Sequence, residues 1–488
     1  VLVKGLVLAP LYLRTLGATG YGNWLASGNM IALLGALDAG FGVVYMQRLA
    51  RSHGEADAKG FADETASGAA ALAAASIVII AMSLVITPFV PGWTRALPGT
   101  HGQLRWAFAL AGIGSGLTVF QGSVDAIFSA WQRPLISGAV RFASRGLEVL
   151  ILYGMLKLGY GLLSFGASAI GSAAWGTVVG WLMVRRAWRR GGFPSWRISR
   201  GALRIYMRQT PPVLAGRTGA VLLNNNEALI ISNIASPAIA TVYILTDRVY
   251  KLGQVVVGIL GGAVFAGVAH LAAEDRDGPR FRSVLGEIFT LSAIGAALYC
   301  GTGVALNSTF VATLVGPEYF GGQALSALLA AAGVLLIRAN LMGTLLQALG
   351  WSAVVGWSSL AEVLVRVPLV LVCVRTFGII GMPIAIIATT VIVNFGAGTY
   401  LLARRLDRRV LVAFREMTVR GLPSTSVAVG VGLLLASVAG THRGWRPFLF
   451  EASWATPIVV LVVLLVHPRS RELARAVAHR LAFARKPQ

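Results

Sequence analysis

Acidic residues are scarce in this chain. Asp and Glu number 19 among 488 residues, against 42 Lys and Arg, which gives a formal net charge of +23. Charge of either sign is thin as well. Only 12% of residues are charged, where a soluble domain carries roughly 25%, and 56% are hydrophobic, with a mean hydropathy of +0.73. That balance excludes a soluble globular chain and describes a polytopic membrane protein. Cysteine is nearly absent. Cys300 and Cys373 both lie in apolar runs, so there is no disulfide framework. The six histidines, at positions 53, 101, 270, 442, 467 and 479, are scattered near loops without ligand spacing, and neither a metal nor a cofactor is expected. No cleavable signal is expected either: the first spans read as structure, and Val1 opens directly inside an apolar helix, as an unusual start or because the true N-terminus is clipped.

About fourteen segments are long enough to cross a bilayer, at ~20 residues per span. The basic residues sit at their ends. Three segments hold 20 of the 42: the loop 185–208, the loop 404–420 and the tail 469–486. All three fall on one side if the spans alternate, so that side is cytoplasmic, both termini with it, and nucleic acid is not the partner that the positive charge seeks. The tail spaces Leu473, Val477 and Leu481 four apart, as a basic amphipathic helix lying on the inner leaflet would.

A repeat divides the chain. Residues 128–153 slide onto 346–371 at an offset of 218, matching Gly138 with Gly356 and Ala143 with Ala361, and residues 14–22 echo 232–243 at nearly the same offset. An even number of spans between the copies gives them the same orientation, hence a pseudo-two-fold along the membrane normal and a cleft between lobes. The predicted fold is all-α and polytopic. An N-lobe of six spans covers 1–184, an Arg-rich cytoplasmic linker 185–207, a C-lobe of six spans 208–403, two further spans 404–467 and the basic tail 468–488. The two pseudo-symmetric lobes are expected to surround a central cavity.

Charges at membrane depth mark the candidate site, because each costs at least ~2.5–3.5 kcal/mol at a helix centre unless it meets water or a partner. Arg141, Arg145 and Glu148 share one helical face. An internal Arg145–Glu148 pair would cover one of these arginines and leave Arg141 over. Lys4, Arg14, Asp38 and Asp125 complete the first lobe, and Arg217, Glu227, Asp247, Arg248, Lys251, Arg338, Glu362 and Arg366 form the second set. Asp247 with Lys251, and Glu362 with Arg366, are i,i+4 pairs that neutralise in part. Arg14, Arg217 and Arg338 have no acidic partner on their own helices. A surplus of arginine suits phosphate, because the guanidinium fork stays charged and binds oxyanions bidentately. Arg14, Arg141, Arg145, Arg217 and Arg338 are therefore the candidate anion ligands. Gln121, Asn225, Asn340 and Gln347 are candidate polar lining, and Asp38, Asp125, Glu148, Glu227, Asp247 and Glu362 are candidates for ion coupling or charge balance.

Competing structural readings stand beside these. Arg14 and Lys4 can snorkel to an interface. Asn224–Glu227 can be a pore lining or the end of a span, and Asp38 and Asp125 can be helix glue. Gly112, Gly114 and Gly116 resemble a dinucleotide loop, but no strand precedes them, and close helix packing is expected instead. The Asn307-Ser-Thr sequon is read as chance.

The stretch PLYLRTLGATGYGNWLASGNMIALLGALDAGFGVVYMQRLA, residues 10–50, resembles the start of polysaccharide flippases of the multidrug/oligosaccharidyl-lipid/polysaccharide exporter superfamily. The chain is also similar to lipid II flippases. The resemblance implies two V-shaped lobes around a cationic cavity in a bacterial cytoplasmic (inner) membrane. It implies translocation of an undecaprenyl-diphosphate-linked glycan for cell-surface polysaccharide biosynthesis, with Arg14 near the diphosphate and a cation gradient or membrane potential as the drive. Membrane lipids are expected partners, polysaccharide polymerase machinery is a candidate one, and the chain is expected to act as a monomer. A cation-coupled multidrug exporter of the same fold is the alternative, though the arginine excess speaks against it. A membrane glycosyltransferase or polymerase is another, but the outer loops are short and no carboxylate pair has acid/base spacing. A scaffold for an export complex is the third.

Overall fold

A computed structural model of the chain describes residues 5, 7–35, 41–55, 57–192, 194–274, 279–348, 351–397, 408–440 and 442–466. Among them every regular element is helical. The helices are α1 (Ala9–Gly35), α2 (Phe41–Gly54), α3 (Ala58–Ile86), α4 (His101–Ala130), α5 (Pro134–Lys157), α6 (Leu163–Arg190), α7 (Arg200–Asn224), α8 (Glu227–Ile234), α9 (Pro237–Glu274), α10 (Pro279–Leu314), α11 (Gln323–Ala348), α12 (Ser352–Phe377), α13 (Gly381–Thr389), α14 (Arg408–Ala439) and α15 (Trp445–Val466). From the second onward, the described part of each expected span falls on one of these helices or on neighbouring helical elements, the twelfth (378–403) running past 397 out of the described residues; the first begins outside them and continues in α1. Seven stretches of the described chain are long and apolar enough to cross a membrane. α5 has the length, but Arg141, Arg145 and Glu148 dilute its hydropathy. The outward faces are apolar as lipid requires: Ile77, Val78 and Val85 of α3 and Phe142 and Leu150 of α5 are all exposed. The chain is a multi-pass membrane protein.

Two compact units divide the contacts, 3–241 and 242–488. Helices α7 and α8 pack on α1 and α3, so this boundary falls after Thr241, downstream of the Arg-rich loop. The repeat is visible in the element boundaries. An offset of 218 residues carries the first residue of α5 onto the first of α12, and the first of α6 onto the first of α13. It also carries the last residue of α4 onto the last of α11.

In the first unit, α4 is the central strut, packed by α2, α3, α5 and α6. Its glycines permit this. A Cβ at Gly112 would fall 2.5 Å from Ser83 Oγ, at Gly114 2.7 Å from the backbone of Ala169, and at Gly116 2.9 Å from the Ser76 carbonyl. The Gly-x-Gly-x-Gly run is thus a packing device between α3 and α6. Helix α1 is interrupted at Gly17, whose φ of 67° belongs to the left-handed region that glycine adopts without strain. Tyr12 and Trp24, on either side of the interruption, both contact Phe165 of α6, at ring distances of 5.0 and 4.5 Å. Near the Arg-rich end, Glu64 of α3 accepts from Arg48 Nε of α2 at 2.9 Å and from Tyr206 Oη of α7 at 2.7 Å. Burial, and then that hydrogen bond, push the Tyr206 phenol upward, so it remains a neutral donor.

In the second unit, α10 packs on α11, α14 and α15. A Cβ at Gly301 would fall 2.8 Å from the Ala428 carbonyl, and one at Gly432 would strike the Gly301 carbonyl, so α10 and α14 touch backbone to backbone. Asn307 is fully buried and donates to the Thr246 carbonyl and to Ser326 Oγ, both at 3.0 Å, which removes it as a glycan acceptor. Cys300 and Cys373 are buried free thiols. After α13 the chain continues as a π-helical segment, Thr390–Ala397. Between it, α13 and α12 lies a closed polar cluster. Arg366 donates to Glu362, and to Thr389 Oγ1 and Thr390 Oγ1 at 3.1 Å each, while Asn394 Nδ2 donates to Glu362 at 2.9 Å.

Two outcomes follow for stability. Gly114→Val should lower the unfolding temperature of the purified protein in detergent, as overpacking by about 1–3 kcal/mol does. Gly122→Val, which meets nothing within 4 Å, should leave it unchanged. Arg366→Met should destabilise by about 3–5 kcal/mol by stranding the buried Glu362, and adding Glu362→Leu should recover most of that loss. An unstable double variant would overturn the isolation of this cluster.

Candidate functional site

The charged face of α5 opens onto a cavity of about 520 Å³ in the first unit, enclosed by α2, α4, α5 and α6. Its wall on α4 is a single helical face: Thr118, Gln121, Gly122, Asp125 and Ser129, spaced three and four apart. Arg141, Ser144 and Arg145 come from α5, Ser172 and Ala173 from α6, and Gly42 and Met46 from α2. Gly176 lets α6 approach: a Cβ there would fall 2.6 Å from Gln121 Nε2 and would also strike Ser144 Oγ. Among the described residues the lining is hydroxyls, an amide, charges, small residues and Met46, with no aromatic ring.

Both arginines are held by carboxylates. Arg141 Nη2 donates to Asp125 Oδ2 at 2.5 Å, across from α5 to α4. Arg145 Nη1 donates to Glu148 Oε2 at 2.8 Å within α5. The expectation that Arg141 is left over is thereby corrected, and the reason is geometric: its partner lies on another helix, beyond the reach of an i,i+4 argument. The four charges balance formally, so the surplus expected at this face is absent. Their exposure is unequal, however. The arginine side chains are 60% and 53% exposed, while those of Asp125 and Glu148 are 24% and 11%. The carboxylates lie back in the wall and the guanidiniums stand forward. A guanidinium carries five N–H donors, and each pair uses one of them.

The remaining candidates are dispersed. Arg14 is exposed on α1, one turn before the Gly17 interruption, and does not line this cavity. Lys4, Asp38 and the basic tail lie outside the described residues, as does the side chain of Arg217. The Asn-rich stretch is a helix break: α7 ends at Asn224, Asn225 leaves helical geometry (φ −138°, ψ 45°), and the buried Glu227 opens α8. A discontinuous helix is the form in which membrane transporters expose backbone at a site. In the second unit, Arg338 is buried on α11, with Asn340 and Gln347 exposed on the same helix. Asp247 is buried and sits 3.9 Å from Lys251 on α9. Glu362 belongs to the closed cluster with Arg366. Sequence reasoning missed the hydroxyls Thr118, Ser129, Ser144 and Ser172 and the Glu64–Arg48–Tyr206 contact. The three-and-four spacing of polar residues along α4 was the available signal for the first of these.

The repeat connects cavity and cluster. The 218-residue offset carries Ser144, Ser172 and Gly176 onto Glu362, Thr390 and Asn394, and Glu148 onto Arg366. Positions that line or pack beside an open cavity in one unit hold an internal ion pair in the other.

No protein-family model and no curated protein matches the chain. Solved structures do. One is the inward-facing conformation of a multidrug resistance MATE family transporter of the MOP superfamily, at 15% identity and TM-score 0.65 over 85% of this chain and 96% of that one. Another is the lipid II flippase MurJ in an inward closed conformation, at 12% identity and TM-score 0.69 over 95% of each chain. A third is the MATE multidrug transporter DinF-BH, at 16% identity and TM-score 0.58 over 83% of this chain and 92% of that one. At these identities the likeness is one of fold, and the chain has the all-helical membrane fold of these transporters and this flippase.

Proposed function

We propose that the chain is a flippase that carries an undecaprenyl-diphosphate-linked oligosaccharide across the bacterial cytoplasmic membrane by alternating access. The observation that supports this reading is the forward-standing Arg141/Arg145 pair in a hydroxyl-bearing cavity whose described lining holds no aromatic ring. Each guanidinium is positioned by a recessed carboxylate and keeps donors for a second acceptor. A diphosphate offers several oxygens to such forks. The hydroxyls, with Gln121, suit the sugars next to it. Arg14, Arg217 and Arg338, with Asn225, Asn340 and Gln347, are proposed to join as the transport cycle moves the cargo, while the polyprenyl tail stays in lipid. In the empty site Asp125 both orients Arg141 and balances its charge. A lipophilic cation, the alternative cargo, is better matched by aromatic and unpaired acidic walls than by this lining.

In vesicles containing the purified protein, Arg141→Gln with Arg145→Gln should reduce translocation of a polyprenyl-diphosphate-linked oligosaccharide by roughly 100-fold or more, each lost charge-assisted hydrogen bond being worth about 1.5–3 kcal/mol. The same variant should still insert, with a lowered melting temperature because Asp125 and Glu148 lose their partners, so translocation is compared at equal amounts of folded protein. Asp125→Asn should bind the lipid more tightly and release it more slowly, lowering turnover without lowering affinity. Normal translocation by the double arginine variant would refute the site. Transport of a lipophilic cation with none of the diphosphate lipid would establish the multidrug reading instead.

A further inference from the structure

A second, separate site is built where α6 ends. Helix α6 closes on Gly191, and Gly192, at φ 62°, turns the chain back along the helix it has just left. The returning segment is fastened there: Trp188 Nε1 donates to the Pro194 carbonyl at 3.1 Å, and the Trp196 ring meets Trp188 and Trp181 edge-on, at 5.4 and 5.6 Å. Trp181 is in turn stacked on Phe120 of α4, at 5.6 Å and 14°. The result is a groove of about 920 Å³, open along the lipid-facing side of α6. Its lower wall is apolar, with Leu182 exposed beside the indoles, and its upper rim carries Arg185 and Arg189, one turn apart on the same face. Among the described residues neither arginine has a carboxylate partner. The Trp181 Nε1 donor is buried and likewise has no acceptor.

The geometry points to a binding site for one acidic phospholipid, its phosphate between Arg185 and Arg189 and its upper acyl chain along Leu182 and the indoles. Three features select this occupant over other covers. The groove sits at the charged end of a helix long and apolar enough to cross a membrane. Its polarity runs from apolar to cationic along the axis in which a lipid stands. Tryptophan is the residue that favours the headgroup level, where one edge of the ring is apolar and the other wet. The site shares no lining residue with the α4–α5 cavity, and its proposal does not depend on the transported cargo.

The test uses the full chain in phosphatidylcholine nanodiscs titrated with brominated phosphatidylglycerol, whose bromines quench nearby tryptophan. Quenching should exceed that by brominated phosphatidylcholine at equal mole fraction. Arg185→Gln with Arg189→Gln should weaken the apparent affinity for the acidic lipid by about thirtyfold, as loss of two basic contacts at the surface does. Arg186→Gln with Arg190→Gln, an equal loss of charge on another face, should change it by no more than about threefold. Equal effects of the two pairs would reduce the observation to general surface charge and overturn the site. So would equal quenching by both lipids, and so would displacement by millimolar inorganic phosphate, which would make the ligand a soluble anion. Pairing of the chain that rises with protein density and shows no lipid preference would make the occupant a second copy, and would overturn it too.

Discussion

The interaction on which the first unit turns is the reach of Arg141 from α5 to Asp125 on α4. A lone guanidinium or carboxylate inside an apolar bundle costs several kcal/mol, and pairing offsets much of that. The pair does more than neutralise. Because Asp125 is recessed and Arg141 is forward, it fixes the direction in which the positive end points. The Arg145–Glu148 pair repeats the arrangement one turn along. Helix α5 thereby has three distinct faces. One is a buried stripe, Ser137, Val140, Ser144, Glu148, Leu152 and Leu156, turned into the bundle. Another is an apolar face with Leu135, Phe142 and Leu150, turned to lipid. The third is the charged edge between them. Glycine packing along α4 makes this possible, since it brings three helices close enough for a side chain on one to reach the next.

The second unit uses the same framework differently. At the positions matching Ser144, Ser172 and Gly176 stand Glu362, Thr390 and Asn394, and the guanidinium of Arg366 closes on them. Every donor and acceptor named there is met from within the unit. Arg141 and Arg145 themselves correspond to Ser359 and Val363, and Asp125 to Gly343, so the forward-standing cations have no counterpart. A duplicated scaffold has kept its element boundaries and diverged in one patch. In one copy that patch is an open cavity and offers hydrogen bonds outward. In the other its charges and hydroxyls meet one another.

Much of this was legible in the sequence, and the parts that were not share a cause. Hydropathy and length placed the helices, because lipid leaves few other solutions for an apolar chain. The Gly112–Gly116 run was legible as packing because no strand precedes it. Arg145 with Glu148 and Glu362 with Arg366 were legible because i,i+3 and i,i+4 spacing is local geometry. Arg141 with Asp125, and Glu64 with Arg48 and Tyr206, were not: their partners are 16 and up to 142 residues apart, and only the packed bundle brings them together. The break at Asn225 was visible as a cluster of amides, but polarity alone did not distinguish a helix end from a pore lining. A single sequence reports which charges are present at depth. It does not report which of them face each other.

The same distinction separates the two sites on α6. In its middle, Ser172, Ala173 and Gly176 put small residues on the face turned to α4 and α5 and allow close approach. Its end carries Trp181 and Trp188, which hold Pro194 and Trp196 of the linker. From that linker, the Ser199 amide donates to Ser67 Oγ of α3 at 2.9 Å, and nearly two turns into α7 Tyr206 meets Glu64, which also holds Arg48 of α2. Helix α2 supplies Gly42 and Met46 to the cavity wall. The wall that closes the cavity on this side is therefore not a free helix. It is tied through one buried carboxylate to α7, and through α3 to the linker, so any change in the width of the cavity on the α2 side must either carry the start of α7 with it or break the contacts of Glu64.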